Sequence, residues 1–186
     1  MIQQEPTPNP NAIKFMPLRE VRGDKGPLFY KRDADNNPSA DAPIVESLFR
    51  IKGVQDVFLG SDFITVGKDD TIEWDQIREP IVYLIEANST LPFVKEEAEL
   101  VNETVDDDLG DDAVVIRIKE LLDERVRPAV AMDGGDILYR GYHEGIVKLE
   151  MYGACSGCPS SSATLKMGVE NMLKHYIPEV RKVEQV

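Results

Sequence analysis

Two cysteines carry the reactive chemistry of this chain. Cys155 and Cys158 lie in the run Cys155-Ser156-Gly157-Cys158-Pro159-Ser160-Ser161. A C-x-x-C loop turns two sulfurs toward one point, and Gly157 keeps the turn free of side-chain obstruction. Pro159 has the preset φ of a first helical position, so a helix is expected to start there. Free amides and the positive end of that helix would favour thiolate over thiol, which suits both metal ligation and redox exchange. Ser160, Ser161 and Ser162 fit the first turn, where hydroxyls satisfy free amides or donate to a nearby sulfur.

Three chemistries match that spacing. A thiol–disulfide oxidoreductase uses such a pair at a strand-to-helix junction, although no thioredoxin-like βαβ pattern precedes it here. A structural zinc ion wants four ligands, and within one chain only His143 and His175 remain to join the cysteines. His175 sits roughly 25 Å along the expected helix, and His143 falls in a hairpin loop, so neither completes a site. Two chains together supply four thiolates, the usual complement of a [4Fe–4S] cluster, and equally that of an inter-chain zinc site. Spacing alone leaves these open.

The surrounding elements read clearly. Val115, Ile118, Leu122 and Val126 mark one face of a helix expected to stop before Pro128. Met132-Asp133-Gly134-Gly135-Asp136 reads as a turn, with both glycines at positive φ and the aspartates bonding nearby amides instead of forming an acid–base pair. Strands are expected over residues 137–140 and 146–151, joined by the connection from Gly141 to Gly145. Val147, Leu149 and Met151 alternate there with Lys148 and Glu150. Leu165, Val169, Met172 and Tyr176 give the helix after the cysteines one apolar face, and a terminal strand over 180–186 completes an αββαβ unit. Met132, Met151, Met167 and Met172 are expected in the core.

The first half holds no cysteine or histidine. Strands over 12–16 and 28–30, a helix carrying Ile44, Leu48 and Phe49, a hairpin over 54–66 turning at Gly60-Ser61-Asp62, and a helix over 74–88 give the order ββαββα. Trp74 and Phe15 are assigned to packing. Between the halves, residues 96–112 contain nine acidic side chains and no basic one. Such a self-repelling, apolar-poor run predicts an extended linker. The expected fold class is therefore α/β (α+β): two small two-layer sandwich domains, residues 1–94 and 113–186, with an acidic linker over 95–112.

Composition narrows the function. The chain has 186 residues, 42% hydrophobic, with a formal net charge of −13. That field disfavours nucleic-acid binding, and no run of about 18 apolar residues offers a membrane span. Two cysteines are too few for a disulfide framework, which suggests a reducing compartment. The first six residues lack the patterns of a secretory signal or an organelle presequence. The expectation is a cytoplasmic protein of bacterial type, or one of the mitochondrial matrix if a presequence has been removed.

The runs from Arg127 to Asp136, from Gly153 to Ser161 and Thr164-Leu165-Lys166 together strongly resemble the C-terminal domain of NifU-like (Nfu) iron–sulfur cluster carriers. D-G-G-D about twenty residues before C-x-x-C-P-S-S is far rarer than C-x-x-C alone. Pro6-Thr7-Pro8-Asn9-Pro10-Asn11, followed by Lys14-Phe15, likewise resembles the Nfu N-terminal domain. The resemblance implies a non-enzymatic carrier that holds a [4Fe–4S] cluster between two chains and hands it to apo iron–sulfur client proteins. Cys155 and Cys158 match the family's ligand pair, and the holo form would be a homodimer through its C-terminal domain.

Overall fold

In a computed structural model of the chain, residues 2–32, 42–90, 92–94, 113–155 and 159–186 are described. The acidic stretch 95–112, Ser156, Gly157 and Cys158 lie outside them. The chain divides into two compact units, Met1–Leu100 and Val101–Val186, and both have mixed α/β structure.

The first unit is a five-stranded antiparallel sheet with helices packed on it. Its strands are β1 (Gln3–Pro6), β2 (Ala12–Met16), β3 (Leu28–Lys31), β4 (Val54–Leu59) and β5 (Ile64–Lys68), in the order β1-β2-β5-β4-β3. Alternation along each strand sends Ile13, Phe15, Val57, Leu59, Ile64 and Val66 into the core. There they meet Ile44, Val45 and Leu48 of α1 (Pro43–Phe49) and Ile77, Ile81 and Ile85 of α2 (Trp74–Ala87). Phe15 is fully buried, and Trp74 packs at the core margin with its indole Nε1 donating to the Pro10 carbonyl at 2.9 Å.

Strand β1 is additional to the expected order. All four of its residues are exposed, so its edge position leaves no apolar alternation in the sequence. The Thr-Pro-Asn-Pro run that follows is a side-chain-stabilised turn. Asn9 N donates to Thr7 Oγ1 at 3.2 Å, Asn11 N to Asn9 Oδ1 at 3.0 Å, and Ala12 N to the Asn9 carbonyl at 3.0 Å.

In the second unit, α3 (Ala113–Leu121), a π-helical turn (Leu122–Val126) and α4 (Arg127–Met132) run on without a break. The helix therefore does not stop before Pro128. Arg127 N–H reaches back to the Leu122 carbonyl, an i→i−5 bond. The wider turn carries the chain past the missing donor of Pro128, which takes its place near the start of α4. Ile118, Leu122, Val126 and Val130 are all buried against the sheet.

That sheet has the order β6-β7-β8, from β6 (Gly135–His143), β7 (Ile146–Gly153) and β8 (Lys182–Gln185). β6 and β7 form a hairpin longer than expected, closed by Glu144 (φ 48°) and Gly145 (φ 87°). Two successive positive φ values are the geometry that matches strand twist in a tight hairpin. A register shift between Tyr139 and Gly141 absorbs the glycine that the sequence placed in the connection. Helix α5 (Pro159–Tyr176) crosses over to bring β8 parallel to β7. Val147, Leu149 and Met151 face inward to Val169 and Leu173, as the alternation predicts, with Leu165, Met172 and Tyr176 packed at the edge. Met132 and Met167 are exposed, contrary to the core assignment.

Candidate metal centre

Cys155 lies two residues past the end of β7, after Ala154, and α5 begins at Pro159. The loop between them thus joins a central strand to a helix start, as the sequence indicates. Strand β8 pairs with the first half of β7, Ile146 to Leu149, whereas the end from which the loop leaves is held by β6, through Gly135 opposite Gly153 and Asp136 opposite Tyr152.

Cys155 is a free thiol packed inward, 7% exposed, and belongs to the second core. Burial, and then the negative charges of Asp133 and Asp136, push this thiol up to about 12. This corrects the expectation that the helix start would lower it. Desolvation and two nearby carboxylates outweigh a helix end that sits beyond the loop. In this state the thiol is protonated at neutral pH, and a metal must displace that proton to bind. Cys158 and the side chains of residues 159–162 lie outside the described residues.

The turn at 133–136 meets the cysteine directly. Gly134 has φ 80°, whereas Gly135 is extended and already part of β6. Only Gly134 therefore uses the positive φ expected of both. Gly135 is required by space: a Cβ there would fall 2.8 Å from Cys155 Sγ and 2.5 Å from the Tyr152 carbonyl oxygen. Ala154 N donates to the Gly134 carbonyl at 3.2 Å, tying the residue before the cysteine to the turn.

Asp136 is 6% exposed and fully engaged. Arg127 clamps it through two parallel bonds, Nε to Oδ1 at 2.9 Å and Nη2 to Oδ2 at 2.8 Å. Asp136 Oδ1 also accepts from Ile137 N at 2.8 Å, which is the amide-bonding role expected of it. Arg127 reaches Asp123 Oδ1 through Nη1 at 3.1 Å as well. These two acids hold the guanidinium charged far beyond its ordinary range. Sequence reasoning missed Arg127 as a partner, and the signal that could have found it is its place one turn after Asp123 on the same helical run.

The two histidines are far from forming a ligand set with it. His143 ends β6 on the surface, and His175 stacks edge-on against Tyr176 at 4.9 Å near the end of α5. Among the described residues no group of three or more His, Cys, Asp or Glu is arranged to hold a metal ion. Among them also, no helix is long and apolar enough to cross a membrane.

Comparison with known proteins agrees with this layout. Residues 118–184 match the NifU-like domain family, and residues 2–90 match the family described as scaffold protein Nfu/NifU N terminal. A Drosophila persimilis protein named NFU1 iron-sulfur cluster scaffold homolog, mitochondrial, is 48% identical over 189 residues, covering 100% of this chain and 64% of its own length. The protein of the same name from Drosophila willistoni is 46% identical over 192 residues, covering 100% of this chain and 63% of its own. The chain thus spans a little under two thirds of these relatives. Among solved structures, the NMR structure of a NifU-like protein from Saccharomyces cerevisiae shares 24% identity at a TM-score of 0.47, over 52% of this chain and 86% of that one. The crystal structure of protein SAV1430 from Staphylococcus aureus shares 22% identity at a TM-score of 0.38, over 45% and 96%. With the cysteine loop seated after β7 and each unit matching its own half of the pattern, the chain belongs to the NifU/Nfu family, an Nfu N-terminal domain followed by a NifU-like domain.

Proposed function

We propose that the chain is an iron–sulfur cluster carrier. Two copies share one [4Fe–4S] cluster on Cys155 and Cys158 of each, and pass it as cargo to apo iron–sulfur client proteins. The observation that carries this reading is the cysteine count: one chain has two cysteines, half the thiolates such a cluster takes. Family membership supplies the kind of cargo, since the matched relatives are named as iron–sulfur cluster scaffolds. A cluster held between two copies loses half its ligands when they part, so an incoming client can exchange thiolates stepwise. No substrate is turned over, and the role is not enzymatic.

The NifU-like domain, residues 113–186, holds the cargo. The domain at 1–94 serves client choice or dimerisation, and the acidic stretch 95–112 tethers the two. The relatives are named as mitochondrial, which supports the matrix alternative over the cytoplasm. A shared zinc ion uses the same four thiolates and is the competing reading.

Anaerobic reconstitution with iron and sulfide, followed by Mössbauer spectroscopy and mixing with an apo-acceptor, tests this. Cubane spectra and transfer faster than free iron and sulfide can rebuild the acceptor are expected. Zinc uptake without iron, or transfer no faster than rebuilding, would remove the carrier.

A further inference from the structure

Cys155 points the wrong way for a shared cluster. A ligand to a cube held between two chains must present its sulfur at the surface, yet this sulfur is inside the second core, with Ile137 and Met151 among its members. The turn at 133–136 is built around it. Gly135 leaves out the one methyl group that would occupy the space beside the sulfur, and the same position lies against the Tyr152 carbonyl. The Gly134 carbonyl holds the Ala154 amide, so the backbone approaching the cysteine is pinned to the turn. The Arg127–Asp136 clamp, with the Ile137 amide on the same carboxylate, fixes the first residues of β6. The sulfur thus sits between the apolar core on one side and the D-G-G-D segment on the other, with Arg127 holding that segment in place.

We propose that the turn at 133–136 is a socket that stows the Cys155 thiol in the cluster-free chain, with Gly135 as its positioning residue. Loading then requires the sulfur to leave the socket for the surface. The inference rests on the reading of Cys155 as a cluster ligand, and it gives D-G-G-D a role tied to C-x-x-C beyond forming a turn. A stowed thiol is kept from oxidation and from stray metal until a cluster is offered. Stowing also makes release favourable, because the sulfur regains a packed site as the cargo departs.

The test uses the full-length, reduced, cluster-free chain carrying Cys158→Ala, so that Cys155 is the only thiol. Alkylation by N-ethylmaleimide at neutral pH is expected to run about tenfold or more slower than in the same chain unfolded in guanidinium. A nuclear Overhauser contact between Gly135 Hα and Cys155 Hβ is expected in the folded chain. Equal alkylation rates, or absence of that contact, would overturn the socket. Gly135→Ala in the same background displaces the sulfur, so alkylation is expected to rise about tenfold with the circular dichroism spectrum retained. A folded Gly135→Ala chain with an unchanged rate removes Gly135 as the positioning residue. If that variant fails to fold against the Tyr152 carbonyl, the contact and rate in the glycine-bearing chain decide alone. Iron uptake by Cys155→Ala separates this from the ligand reading: slow alkylation with retained uptake leaves the socket standing and sinks the ligand, and fast alkylation with lost uptake does the reverse.

Discussion

Breaking the Arg127–Asp136 clamp should cost stability unequally from its two sides. The carboxylate side chain is 9% exposed and the guanidinium 35%. Arg127→Met strands a buried negative charge that keeps only the Ile137 amide, so about 3 kcal/mol is expected, the lower end for a broken buried pair. Asp136→Asn leaves Arg127 partly solvated and still within reach of Asp123, so about 2 kcal/mol is expected. The double variant removes both charges together and should cost about 3 kcal/mol, well short of the sum. The implied coupling is about 2 kcal/mol. Urea unfolding followed by the amide NMR signals of β6 and β7 reads the second unit directly. A coupling below about 0.5 kcal/mol, or a larger loss from Asp136→Asn than from Arg127→Met, would refute the idea that this pair holds the start of β6.

Other consequences are as specific. Asp56 is pushed up to about 6, chiefly by burial, with Lys31 partly opposing. The folded state then binds more protons than the unfolded one between about pH 4 and 6, so stability falls as pH rises through that window, by up to about 3 kcal/mol. Asp56→Asn should flatten this fall in calorimetry across pH 4 to 7, and an unchanged slope would show that another group causes it. Gly67 lies beneath the Asp56 carboxylate, where an added Cβ would collide with it. Gly67→Ala should therefore lower the melting temperature, and restoration by a further Asp56→Gly change would identify the carboxylate as the obstacle. Asp133→Asn removes one of the charges that raise the Cys155 thiol, so the pH profile of Cys155 alkylation should move to lower pH. A profile that stays in place would assign the shift to burial and Asp136 without Asp133. Leu149→Ala empties a fully buried site between the sheet and its helices and should cost about 2–5 kcal/mol in urea unfolding.

The parts legible in the sequence are those whose physics is local. Alternation of Val147, Leu149 and Met151 with Lys148 and Glu150 located β7, and the spacing of Ile77 and Ile81 located α2. Strand β1 was invisible because Gln3, Gln4, Glu5 and Pro6 bury nothing; its strand state comes only from hydrogen bonding to β2. Pro128 reads as a stop in the sequence because a proline ordinarily breaks the helical ladder. The contrary sign was present in Ile118, Leu122, Val126 and Val130, which continue across it at four-residue steps. Each step overshoots a 3.6-residue turn, and the π turn takes up the excess. The C-x-x-C was legible as a site because cysteine chemistry needs no fold to be suspected. The inward seat of Cys155 was not legible, since it depends on a missing Cβ at Gly135 across the hairpin.

Native mass spectrometry of the anaerobically reconstituted chain bears most directly on the shared-cluster account. The account predicts an assembly of two chains with roughly four iron and four sulfide. It also predicts that Cys155→Ala and Cys158→Ala each abolish the loaded species while the apo fold survives. A single chain carrying a complete cluster, or a loaded pair formed by either variant, would contradict it.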